Sequence, residues 1–275
     1  MLTQDKITSI YCIVDDLLKQ TGHKDYPHCK VTDSEVITTA LVSALYFGGH
    51  LDNARGFMQL SGNVPQMPSK GRFCRRLHKL ETLLGSLFFQ IGHCLKAIAG
   101  AATYVLDSFP VAVCDNIRIS RSRILKGTKW RGRHSSMRRY FYGVKVQVLT
   151  TSDGIPVEFC FVPGSESDVK ALAKLPLAVA AESCIYADAA YTDYRAEDEL
   201  MEAENIRLLV SRKSNSKRPD EPYLAYLKEQ RRKSIETAFS SIKALFLRKI
   251  HAVTFKGFLL KLLLFLIAFT LNKLT

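Results

Sequence analysis

Three carboxylates at distant points of the chain have the surroundings that metal-assisted phosphate chemistry needs. Asp107 ends the apolar run Tyr104-Val105-Leu106, and Asp188 ends the run Cys184-Ile185-Tyr186-Ala187. Both runs read as short strands, and a carboxylate at such a strand end is presented at a sheet edge, where open α/β sheets bind ligands. Taken singly, each aspartate is most simply the cap of a turn or of the next helix. If the two strands are neighbours, however, two negative charges face each other and need a cation or a proton to coexist. Glu236 offers a third carboxylate. It lies in a helical run with apolar Ile235, Ala238, Phe239, Ile242 and Leu245, and Arg232 and Lys243 stand four residues before and seven after it along one side. An ordinary i,i+4 pair would explain Arg232 and Glu236. The alternative is an all-oxygen site suited to Mg²⁺ or Mn²⁺ rather than zinc, with two cations at hand for phosphates.

Charge points to the same chemistry. The 275 residues carry 39 Lys+Arg against 26 Asp+Glu, a net charge of +13 that favours a polyanionic partner. With 47% hydrophobic and 24% charged residues, the chain can bury a core and is not disordered. Between Asn116 and Ser152 there is no acidic residue, while Arg118, Arg121, Arg123, Lys126, Lys129, Arg131, Arg133, Arg138, Arg139 and Lys145 are all cationic. Trp130, Tyr140, Phe141 and Tyr142 are interleaved, offering rings for bases beside charges for phosphates. A second basic stripe, Arg72, Arg75, Arg76 and Lys79, has helical spacing and suits a helix laid on DNA. Arg212, Lys213, Lys217 and Arg218 form a weaker cluster. The seven cysteines show no C-x-x-C pair, which fits reduced thiols in a reducing cytoplasm and neither a disulfide framework nor a zinc ribbon. Asp5, Lys6, Asp15 and Asp16 exclude a signal-peptide reading of the N-terminal stretch. Leu262–Leu271 is apolar apart from Thr270, but ten residues are about half of the ~20 that cross a bilayer. Phe255–Leu271 is therefore expected to be a buried helix, with no membrane partner.

The elements that must hold these residues follow from periodicity. Residues up to about 98 are expected to be helical: Thr32 and Glu35 form a capping box for a helix that Gly48-Gly49 stops, and a second long helix runs from Ser69 to Ile91. From Ala101 the pattern changes to strands over Ala102–Leu106, Tyr140–Thr150 and Val157–Val162, the last two joined by an Asp153-Gly154 turn. A helix from Asp168 to Ala181, a strand at Cys184–Ala187, a helix at Asp193–Glu204, a strand at Ile206–Val210 and a long helix to about Ile250 complete the order. This predicts a five-stranded mixed sheet with helices on its faces.

Four stretches in characteristic order resemble the DDE-type transposases of bacterial insertion sequences, most closely those of insertion sequence family 982. They are Asp107-Ser108-Phe109-Pro110-Val111-Ala112-Val113-Cys114, Tyr142-Gly143-Val144-Lys145, Ala187-Asp188-Ala189-Ala190-Tyr191 and Arg232-Lys233-Ser234-Ile235-Glu236-Thr237-Ala238-Phe239. The resemblance implies an RNase H-like catalytic core over 99–275 with a basic insertion at 116–139 and a closing helix at 255–273, after a DNA end-binding region at 1–98. It implies Asp107, Asp188 and Glu236 as catalytic ligands of two Mg²⁺ or Mn²⁺ ions, with Asp107 shared between them. Two such ions ~3.5–4 Å apart serve in-line phosphoryl transfer, first with water and then with a freed 3′-OH attacking target DNA. Terminal inverted repeats and target DNA are the implied partners, a homodimer the implied assembly, and the bacterial cytoplasm, bound to the nucleoid, the implied location. The chain departs from the pattern at Glu229, where the signature helix has tyrosine, and at Gln147, where many relatives have histidine. A non-catalytic DNA-binding descendant and a metal-dependent nuclease of the same fold are the rival readings.

Overall fold

The computed structural model describes residues 2–114, 116–134, 139–245 and 250–275, without the side chains of 134, 232–238 and 243. In chain order the helices α1–α5 are Gln4–Gln20, Asp33–Tyr46, Leu51–Leu60, Lys70–Lys79 and Glu81–Ala99. Strands β1–β4 follow at Thr103–Cys114, Arg131–His134, Arg139–Thr151 and Pro156–Pro163, then α6 (Asp168–Leu172), β5 (Cys184–Ala187), α7 (Tyr194–Glu204), β6 (Arg207–Val210), α8 (Pro222–Leu245) and α9 (Phe255–Leu274). The chain forms two compact units: Met1–Gln90 with Leu245–Thr275, and Ile91–Ala244.

The first unit is all helix. The Thr32 hydroxyl accepts from the Glu35 amide at 3.1 Å, and Glu35 Oε2 accepts from the Thr32 amide at 2.6 Å, so the expected capping box opens α2. Two glycines with positive φ, Gly48 and Gly49, follow its end. Both α2, despite its Thr38, Thr39 and Ser43, and α9 are buried around most of their circumference. They pack on each other. The closing helix expected of the sheet domain therefore belongs with the helical unit. It spans Phe255–Leu274, close to the extent expected, and α5 and α9 are both long and apolar enough to cross a membrane by length and composition. Burial, not length, decides how α9 is read, since 67% of its most apolar window is covered by protein. The single helix expected over Ser69–Ile91 is broken at Leu80, whose amide turns back to the carbonyls of Arg76 and Leu77.

The second unit is one mixed sheet in the order β2-β3-β1-β5-β6, with β4 also paired to β3. β1, β5 and β6 are parallel, and the pairings of β3 with β1, β2 and β4 are antiparallel. The sixth strand is β2, which lies inside the basic segment and pairs with the start of β3, where the sequence showed no apolar alternation. β1 runs on past Asp107 to Cys114, so Asp107 lies within a strand rather than at its end. Pro110 does not stop it, because β5 has already ended and, among the described residues, β3 is the strand paired with β1 there. The helix expected to reach Ala181 stops at Leu172. Pro176 and the positive φ of Leu177 prevent it from continuing.

One face of the sheet packs Tyr104, Leu106, Leu149, Ile185, Ala187, Leu208 and Val210 against Leu172, Leu175, Leu177 and Tyr191. At the margin of this core, Glu158 is fully buried. Its carboxylate accepts from Lys96 Nζ at 2.6 Å and from the amides of Leu177 and Ala178 at 2.8 and 2.9 Å. One carboxylate thereby joins the end of α5, β4 and the segment after α6. Replacing Glu158 by Ala strands a buried ammonium, and urea denaturation should report a loss of about 3–5 kcal/mol, of which Lys96→Met added to Glu158→Leu recovers part.

Candidate active site

The register of β1 and β5 brings two of the three expected carboxylates together. Tyr104, Val105 and Leu106 stand opposite Ile185, Tyr186 and Ala187, so Asp107 and Asp188 each follow the last paired position, on neighbouring parallel strands. Adjacent strands are ~4.8 Å apart, and alternation along β1 turns Asp107 away from the face that carries Tyr104 and Leu106. Backbone amides hold both carboxylates locally. Ser108 N donates to Asp107 Oδ1 at 2.7 Å, and Ala190 N donates to Asp188 Oδ1 at 2.8 Å at the start of a 3₁₀ turn over Ala189–Tyr191. Asp107 within β1 and Asp188 just past the end of β5 offer hard oxygen donors of the kind that Mg²⁺ or Mn²⁺ takes.

Behind this pair, on the opposite face, runs a chain of polar side chains that sequence reasoning did not find. Asp168, the first residue of α6, accepts from Ser108 Oγ at 3.0 Å, Gln147 Nε2 at 2.8 Å and Lys145 Nζ at 3.3 Å. Gln147 is fully buried, and its Oε1 accepts from the Tyr191 hydroxyl. Burial, reinforced by the nearby carboxylates of Asp168, Asp107 and Asp188, holds the Tyr191 phenol well above the ordinary tyrosine pKa, so it remains a donor. The available signal was that Lys145 and Gln147 share a strand face with Leu149, a sign that this polar face is covered.

The third carboxylate lies on α8. The buried Lys228 fixes the early part of that helix, donating to Val210 O at the end of β6 (2.9 Å) and to Asp220 (2.5 Å). The side chains of Glu236, Arg232 and Lys243 fall outside the described residues, and Arg138 falls outside them altogether.

The expected DNA-contacting cations divide into two groups. Arg72, Arg75 and Lys79 on α4 are exposed, as are Arg118, Arg121, Arg123, Arg131, Arg133, Arg139 and Lys213 in the sheet unit. Trp130 is half-buried under Lys129, whose ammonium lies 5.1 Å from the ring centroid. Three others are occupied by partners within the protein. Lys145 Nζ donates to Glu166 O at 2.7 Å as well as to Asp168. Arg212 forms a two-pronged pair with the buried Glu197 and lies over the Tyr194 ring. Arg76 binds Asp33 at 2.5 Å, Asp25 at 3.2 Å and the Val31 carbonyl. Among the described residues, His23, Asp25 and Asp33 place one ligand atom each within 4.8 Å of the others. The Arg76 guanidinium already supplies that cluster's positive charge.

The sheet unit is thus a mixed α/β body that presents a paired aspartate site and many exposed cations. A family model described as Transposase DDE domain matches residues 99–252, more than half of the chain, and the chain belongs to that family. It is accordingly a transposase-type protein of a mobile element, and DNA is its partner. No curated protein and no solved structure matches it.

The division among the cations can be measured. Arg76→Ala removes the guanidinium that Asp25 and Asp33 share, leaving Asp33 with His23 and Asp25 with the Asp33 amide, and should cost about 2–3 kcal/mol of stability. Arg75→Ala and Lys79→Ala should cost under about 0.5 kcal/mol. Each exposed cation that contacts a phosphate should, when removed, reduce the slope of log affinity against log salt by about 0.9.

Proposed function

We propose that this chain is a DNA transposase of the insertion sequence 982 type, cutting at the ends of its element and joining the freed 3′-OH to target DNA. The observation that carries the reading is the placement of Asp107 and Asp188 one step past the last matched pair of two parallel neighbours. The order β4-β3-β1-β5-β6, antiparallel through β1 and parallel beyond it, supports the RNase H-like expectation. Asp107 and Asp188, with Glu236 from α8, would hold the two divalent ions that the resemblance implies. Ions bound there would activate the attacking oxygen and stabilise the leaving one in an in-line displacement. The amides of Ser108 and Ala190 fix the two aspartate carboxylates before substrate arrives. The exposed arginines of residues 116–139 grip the element's terminal repeats, and Arg72, Arg75 and Lys79 on α4 form a second grip. A homodimer in the bacterial cytoplasm would process two ends together.

The test is cleavage and strand transfer on DNA bearing the flanking terminal repeats, with Mg²⁺ or Mn²⁺. Asp188→Ala should lower cleavage roughly 10³-fold or more while retaining DNA binding. Cleavage at the wild-type rate in that variant would defeat the site assignment.

A further inference from the structure

We infer that Asp168, Gln147 and Tyr191 form a positioning bridge that sets the spacing of Asp107 and Asp188 from the opposite face of the sheet. The inference rests on the reading of those two aspartates as a metal-holding pair. The β1–β5 ladder ends at Leu106 opposite Ala187, one residue short of the aspartates. The bridge spans this level. It starts at Ser108, the residue after Asp107, passes through Asp168 of α6 and Gln147 of β3, and ends at Tyr191, three residues after Asp188. Both ends are tightly coupled to the carboxylates. The Ser108 amide donates to Asp107 at 2.7 Å, while the Tyr191 amide donates to the Asp188 carbonyl at 3.1 Å and so closes the turn that presents Asp188.

The surroundings of the bridge explain why it constrains rather than merely fills. Gln147 is wholly buried, and Tyr191 is only 1% exposed beside Leu106, Leu149, Leu172 and Ile185. Polar side chains in such a site are tolerated only with partners in place, so only arrangements that keep these hydrogen bonds are favourable. Lys145 balances the charge of Asp168. A slip between β1 and the Asp188 turn would have to break at least one of the buried bonds, and that couples carboxylate spacing to the bridge. The aspartates gain a fixed geometry without any of the three residues approaching a substrate.

The decisive experiment compares Mn²⁺ binding with stability in the full-length protein. Free Mn²⁺ is followed by electron paramagnetic resonance during titration, alongside thermal melting. Tyr191→Phe removes one oxygen, leaves Gln147 Oε1 buried without its donor, and should weaken Mn²⁺ binding about tenfold. Gln147→Leu combined with Tyr191→Phe removes both partners and should melt closer to the wild type than either single variant does. Its Mn²⁺ affinity should nevertheless stay about tenfold low, a separation that a purely structural role does not produce. Mn²⁺ affinity within twofold of wild type in the double variant overturns the bridge. Should the double variant not fold, the same limit applied to Tyr191→Phe decides. Asp188→Ala separates the two levels of inference. If it loses Mn²⁺ binding while the bridge variants keep theirs, the bridge alone fails. If it binds Mn²⁺ like the wild type, the metal reading fails and the bridge falls with it.

Discussion

Everything at the candidate site depends on the parallel register of β1 and β5. Residues 107 and 188 are 81 positions apart in the chain, and only the pairing of Leu106 with Ala187 brings their successors level. A shift of one residue would turn every side chain of a strand to the other face, moving Asp107 into the apolar core and Leu106 out of it. The hydrophobic face that packs Tyr104, Leu106, Ile185 and Ala187 therefore also fixes where the aspartates stand. In this sheet the core and the chemistry share one constraint, and neither can be displaced without the other.

The distribution of positive charge follows a similar economy of roles. A chain with thirteen surplus cations must keep some of them out of play if it is to fold as well as bind. Arg76, Arg212, Lys145, Lys96 and Lys228 are half-buried or buried and paired, and each ties its own segment to a different element. The exposed arginines around β2 and the start of β3 face water, where their mutual repulsion is screened and a phosphate backbone can replace their counterions.

Much of this architecture was legible in the residues, and the failures have physical causes. Thr32 and Glu35 announced α2, and the alternation of Val144, Val146 and Val148 announced β3, because capping and side-chain period are local properties. β5 is found where its short apolar run placed it. β2 escaped notice because Arg131, Gly132 and Arg133 gain their strand geometry from pairing with Phe141 and its neighbours, not from their own preferences. β1 was cut short at Asp107 because the apolar run Ala102–Leu106 ends there, while the rest of the strand is held by its pairing with β3. The pairing of aspartates 107 and 188 could be posed from the sequence but not decided there, since strand order is a long-range property. Gln147 stood out as a departure, yet its partners Asp168 and Tyr191 lie on separate elements and only the fold brings them together.

The placement of α9 bears on how the protein is made. The helical unit buries α2 against a segment that the ribosome produces after the whole sheet unit. Nascent α2 has α1, α3 and α4 to pack on, but the face that α9 covers must wait through translation of some two hundred residues. The sheet unit, by contrast, has all its described strands in hand before α9 exists. Final assembly of the helical unit thus follows translation of the sheet unit rather than preceding it.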